Sequence, residues 1–156
     1  MLSPGRKAAC EIGRIVRERE AFVADVTPSV LAKYEGISAE DAAFATKIAR
    51  GVTATLGTLD EFINRNMKSP DDIEADVRDA MRVSAYELLY LGKDAYAAVD
   101  QGVELVRSVE PKASALANAV LRKMSQSARK FPYGNPDLSL SVLARSQAFP
   151  EWRDAS

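Results

Sequence analysis

The stretch that decides the fold runs from residue 69 to residue 91: Ser69-Pro70-Asp71-Asp72-Ile73-Glu74-Ala75-Asp76-Val77-Arg78-Asp79-Ala80-Met81-Arg82-Val83-Ser84-Ala85-Tyr86-Glu87-Leu88-Leu89-Tyr90-Leu91. Ile73, Val77, Met81, Ser84, Leu88 and Leu91 recur at helical spacing and form one stripe, while Val83, Tyr86 and Tyr90 form a second. A helix that is apolar on two faces packs between other helices, so this segment is expected to be the hub of an all-α bundle. Its start is signalled by Ser69 as N-cap, Pro70 at the first helical position and two acids against the helix dipole. Gly92 is the expected stop.

The same periodicity extends both ways from this segment. Downstream, Asp94 caps a helix carrying Tyr96, Val99, Val103 and Val106, and Pro111 opens another carrying Leu116, Val120, Leu121 and Met124. Upstream, Ser38 followed by Asp41 resembles a capping box and opens a long helical stretch through Phe44, Ile48, Val52, Leu56, Leu59 and Ile63, with a break expected near Gly57. Thr27-Pro28 marks a shorter helix over about 28–35, ended by Gly36. Ser3-Pro4 starts a first helix reaching about Glu20, with Ala8, Ala9, Ile12, Ile15 and Val16 facing inward. Sustained two-residue alternation is absent, so no sheet is expected. Beyond Lys130, Pro132, Gly134, Pro136 and Pro150 punctuate a weakly periodic tail, giving a domain over 1–130 and a linker over 131–156 with a helical turn or two around 138–145.

Composition narrows the function. The chain has 156 residues, 47% of them apolar and 28% charged, which fits one ordinary globular core. It has no histidine, which excludes a His-based triad and a His-ligated zinc site, and no metal site is expected. Dinucleotide, Walker A, nucleophile-elbow and Cys-x-x-Cys patterns are missing, so no catalytic residues and no cofactor are assigned. The single cysteine, Cys10, lies on the apolar side of the first helix and reads as a buried structural thiol. With no signal-type or membrane-length apolar run, a cytoplasmic location and no membrane partner are expected.

Net charge is −1, so a nucleic-acid partner requires a local patch. Residues 111–130 hold Lys112, Arg122, Lys123, Arg129 and Lys130 with no acid, and residues 1–20 carry a balance of +2. Residues 70–80 are opposite in sign, with five acids against Arg78. These cations either solvate outer faces and complement helix ends or form a phosphate-binding stripe along the first and last helices. The small residues Ala42, Ala45 and Ala49 serve either the core or a homodimer contact.

Three ordered blocks carry a resemblance over roughly residues 4–130. Residues 76–91, then Ala98-Val99-Asp100-Gln101-Gly102-Val103-Glu104-Leu105, then Ala115-Leu116-Ala117-Asn118-Ala119-Val120-Leu121-Arg122 together resemble the core of a NusB-type domain. Two branches share that domain: the free NusB antitermination factor, and the N-terminal domain of RsmB/Sun-type rRNA cytosine-5 methyltransferases. Residues 38–52, the opening residues 3–9 and the tail residues 144–152 are similar to the methyltransferase branch, and Arg14 stands where free NusB proteins tend to carry an aromatic residue.

The resemblance implies a bundle of six to seven helices in two packed three-helix halves, with the first and last helices contributing to an RNA surface. Candidate RNA-binding residues are then Arg6, Lys7, Arg14, Lys112, Asn118, Arg122 and Lys123. Asn118 has a second reading, in which its amide holds a neighbouring backbone. The implied function is a non-catalytic, rRNA-engaging module of a 16S rRNA methyltransferase whose cofactor site and catalytic cysteines lie outside these 156 residues. The alternative is a stand-alone antitermination factor that binds RNA and a ribosomal protein.

Overall fold

The computed structural model describes residues 1–92 and 94–131. Among these are seven α-helices and no strand: α1 (Pro4–Arg19), α2 (Val23–Leu31), α3 (Ala39–Ala54), α4 (Leu56–Arg65), α5 (Ala75–Tyr86), α6 (Ala95–Val109) and α7 (Ser114–Ser127). Helices α1, α2 and α3 pack on one another, and α4 joins α5, α6 and α7 in a second group, so the split is three helices and four. Helix α5 is the hub, touching α1, α3, α4, α6 and α7. Val77, Ala80, Met81, Val83 and Ala85 are buried on its different sides, which is why both of its faces are apolar.

Local capping chemistry sets several boundaries. The hydroxyl of Ser3 accepts from the Arg6 N–H at 3.2 Å, that of Ser38 from the Asp41 N–H at 3.0 Å, and the carboxylate of Asp94 from the Ala97 N–H at 3.2 Å. Gly92 closes the hub with a left-handed φ of 55°. The break between α3 and α4 falls at Thr55, two residues before the glycine expected to cause it.

Three elements differ from the sequence reading. The segment Ser69-Pro70-Asp71-Asp72 does not open the hub: Pro70–Asp72 form a 3-10 turn, Ile73 is extended, and α5 begins at Ala75 after Glu74. Helix α2 begins at Val23 and carries Pro28 inside it, five residues later than its first position. The N–H that proline removes would have met the carbonyl of Ala24, which is exposed and can bond to water, so the loss is tolerated. Lastly, Glu87–Leu91 continue α5 as a π-helical turn, which adds a residue to the turn and buries both Leu88 and Leu89.

The remaining inward positions were mostly legible, with three exceptions: Leu56, Tyr96 and Leu116 are exposed, and Ala98, Leu105 and Ala117 fill the core in α6 and α7. Ala45 and Ala49 are buried, which places the small-residue face of α3 in the core. Phe131, at the first position of the segment read as a linker, is also buried, with its ring edge-on to Phe62 at 5.2 Å. The linker and the helical turn expected around 138–145 lie, from Pro132 onward, outside the described residues. Among the described residues no helix is long and apolar enough to cross a membrane.

Candidate nucleic-acid interface

The candidate cations fall into two classes once their partners are known. Arg6, in the first turn of α1, is committed within the protein: its Nε donates to Glu87 Oε2 at 2.9 Å and its Nη2 to Oε1 at 2.6 Å. The guanidinium also lies over the Phe44 ring, 5.2 Å from the centroid. Arg14 pairs with Glu18 one turn along at 2.5 Å, and that hydrogen bond raises its pKa further above the ordinary arginine value. Lys7, between them, is exposed and has no ion pair among the described residues.

A neighbouring arginine outside the candidate set is bound still more tightly. Arg17 holds Asp79, whose side chain is 2% exposed, with Nη2 to Oδ2 at 2.7 Å, and also reaches Asp76 at 2.9 Å. Arg82 bridges Asp79 to Asp60, which in turn accepts from Arg78. Two of the five acids in residues 70–80, Asp76 and Asp79, are therefore spent inside a network that joins α1, α4 and α5. Cys10 sits near this network, and burial, with the Asp79 carboxylate second, pushes its thiol up to about 12. It is not a nucleophile at neutral pH.

The candidates near α7 are freer. Lys112 is exposed on the 3-10 turn Pro111–Ala113 that leads into the helix, and Asn118, Arg122 and Lys123 are exposed on the helix itself. Among the described residues Asn118 holds no backbone group: its Oδ1 accepts from Arg122 Nε at 3.2 Å, so the amide orients a guanidinium whose other nitrogens make no hydrogen bond or ion pair to a described residue. Arg122 and Lys123, adjacent in sequence, are turned about 100° apart on the helix. Asn118, Arg122 and Ser125 share one flank, whereas Lys123 and Ser127 face the end of α4.

Helices α1 and α7 are not a principal packing pair; α6 touches both. The two basic segments still share a cleft of about 390 Å³, whose lining includes Arg6, Leu88, Ala98, Ser125 and Arg129. Arg65, Lys68, Arg129 and Lys130 were missing from the sequence-derived set. Arg129 and Lys130 were visible as charge, but Arg65 and Lys68 belong to a distant segment that only the tertiary fold brings beside α7.

A family model described as the NusB family matches residues 4–126, and the chain belongs to that family. Two curated proteins from two strains of Mycobacterium tuberculosis, each bearing the name "Putative methyltransferase", are 38% identical over 126 residues, covering 80% of this chain. The chain spans about a quarter of the length of these relatives, the matched part being 27% of each.

Proposed function

We propose that this chain is the non-catalytic, RNA-binding module of an S-adenosylmethionine-dependent 16S rRNA cytosine-5 methyltransferase. The observation that carries this reading is the surface of α7, whose residues include no acid: Lys123 has no ion pair among the described residues and Asn118 steadies Arg122, with Lys112 close by on the approach turn that Glu110 caps, in a chain whose net charge is only −1. Such a surface attracts phosphates locally, whereas the rest of the chain, with +5 of a net −1 held in residues 111–130, carries −6 and does not attract them. Lys7 extends it on α1, while Arg6 and Arg14 contribute less because carboxylates already neutralise them. The match to part of two larger proteins bearing a methyltransferase name supports the assignment of the chemistry to another domain. The module engages small-subunit rRNA through shape and phosphate contacts.

The test is titration of a small-subunit rRNA fragment at several salt concentrations, with Arg122→Ala plus Lys123→Ala and, as an opposite-sign control, Asp71→Ala plus Asp72→Ala. The cation variant should lose affinity, and its slope of log K against log salt should shrink by about 0.7 for each lost single-strand contact. The acid variant should bind as well as wild type or slightly better. Indistinguishable affinities and slopes for all three refute the surface, and methyl transfer from S-adenosylmethionine by the chain alone refutes the non-catalytic assignment.

A further inference from the structure

The ends of α4 and α7 converge on an open groove of about 420 Å³ lined by Arg65, Lys68, Lys123 and Lys130, with Asn66 and Gln126 between them. Among the described residues no carboxylate lines it. The usual reason for cations at such a place is to offset helix C-termini, and two helix ends supply only about one negative charge between them. Glu61, paired with Arg65 at 2.8 Å, supplies one more. Two of the four positive charges therefore remain uncompensated, and neither Lys68, Lys123 nor Lys130 has an ion pair among the described residues.

The groove is also held rigid. Asn66 donates to the Phe62 carbonyl at 2.8 Å and accepts from the Ser127 hydroxyl at 3.1 Å, tying α4 to α7 across the floor. The Arg65 guanidinium is fixed over the Phe131 ring, 5.1 Å from its centroid. Lys123 and Lys130, seven residues apart, lie about 12 Å from each other along the chain direction, at about 1.5 Å per residue to Ser127 and about 2.0 Å per residue through the 3-10 turn Ala128–Lys130. An open, polar, preorganised trough with spaced cations fits an extended polyanion better than a compact ligand. None of the large exposed apolar side chains, such as Phe22, Leu56 or Leu116, borders it, so it has no anchor for a lipid surface.

We infer that this groove is a second phosphate track, in which Lys68, Lys123 and Lys130 hold consecutive stretches of a single-stranded RNA backbone while Asn66 and Gln126 face its sugars and bases. This deepens the RNA-binding reading and rests on it. The α7 surface described above then continues around the helix through Lys123 onto α4.

The test uses the full 156-residue chain and a short single-stranded RNA oligonucleotide of mixed sequence, followed by fluorescence anisotropy across a salt series. Lys68→Ala plus Lys130→Ala probes the groove, and Lys47→Ala plus Arg50→Ala removes the same charge from the exposed face of α3. The groove variant should lose about 1.4 from the salt slope, and the α3 variant should match wild type. Circular dichroism confirms folding, and Lys68→Gln plus Lys130→Gln replaces any alanine variant that fails to fold. RNA binding by wild type with an unchanged slope in the groove variant overturns the groove and leaves the RNA reading standing. Equal losses in both variants show a response to net charge alone and likewise overturn it. Failure of wild type to bind RNA overturns the RNA reading and the groove together. Binding to phosphatidylserine vesicles that depends on Lys68 and Lys130, with the RNA slope unmoved, reassigns the patch to a lipid surface.

Discussion

Replacing Arg6 tests whether the first helix is fastened or left free by its leading arginine. Glu87 is 8% exposed, and in Arg6→Ala its carboxylate is left buried with no cation; breaking a buried pair from one side costs about 3–5 kcal/mol. The adjoining cleft admits water, which favours the low end, and loss of the contact with Phe44 adds about 0.5–1 kcal/mol. A total near 3–4 kcal/mol corresponds to a fall in Tm of about 10 °C for a domain of this size. Glu87→Gln is expected to be milder, about 1–2 kcal/mol, because the amide still accepts from Arg6 and the guanidinium can turn toward the cleft. The distinctive outcome is the double variant. Arg6→Ala combined with Glu87→Gln leaves no buried charge at this pair and should be more stable than Arg6→Ala alone by about 1 kcal/mol or more. Denaturant and thermal melts of the four proteins give the cycle directly. If Arg6→Ala melts with wild type, or if Glu87→Gln fails to rescue it, the pair is not holding the helix as described. If the double variant also loses RNA salt dependence, Arg6 reaches phosphate despite its partner.

Two further outcomes follow from packing and burial. Ser84 Oγ is buried without a hydrogen-bond partner among the described residues and lies 2.3 Å from where a Cβ on Gly102 would sit, so Ser84→Ala should stabilise by about 1 kcal/mol and should partly rescue Gly102→Ala in thermal melts. A Gly102→Ala protein as stable as wild type refutes the close approach of α5 and α6. Because burial raises the Cys10 thiol from 9.0 to about 12, the folded state holds its proton more tightly than the unfolded chain; that stability is complete below pH 9 and drains away as pH rises from about 9 toward 12. Equilibrium unfolding across that range should show the decline, steeper than in Cys10→Ala. Rapid modification of native Cys10 by a thiol reagent at pH 8 contradicts it.

What the sequence made legible was the chemistry that acts over a few residues. Ser3, Ser38, Asp94 and Gly92 mark helix boundaries because each satisfies or ends a local hydrogen-bond pattern. Pro70 misled because proline suits the first position of a 3-10 turn as well as that of an α-helix, and the choice depended on Ile73 packing in extended form. Pro28 misled because proline is expected to open a helix, whereas here it stands inside one, with its ring on the exposed side and the carbonyl it leaves unbonded on the exposed residue Ala24. At the site, charge was visible and its partners were not. Arg6 and Glu87 are 81 positions apart, as are few residues that sequence spacing can relate. The pairing of Arg14 with Glu18 was available from their spacing of four. Arg65 and Lys68 carry no local sign of belonging with α7.

The π-helical turn at Glu87–Leu91 bears on how relatives of this chain are to be aligned. It amounts to one residue inserted into an otherwise continuous helix, so a gap of a single position in this block marks a change of helix type and not a trimmed loop. Removing that residue rotates everything downstream by about 100°, carrying the Gly92 stop and the entry of α6 to another side of the hub. Aligning such a relative by sliding the gap into the loop after Gly92 would equate positions that face different neighbours, and Leu91 would be matched to a side chain that points to another side of the hub.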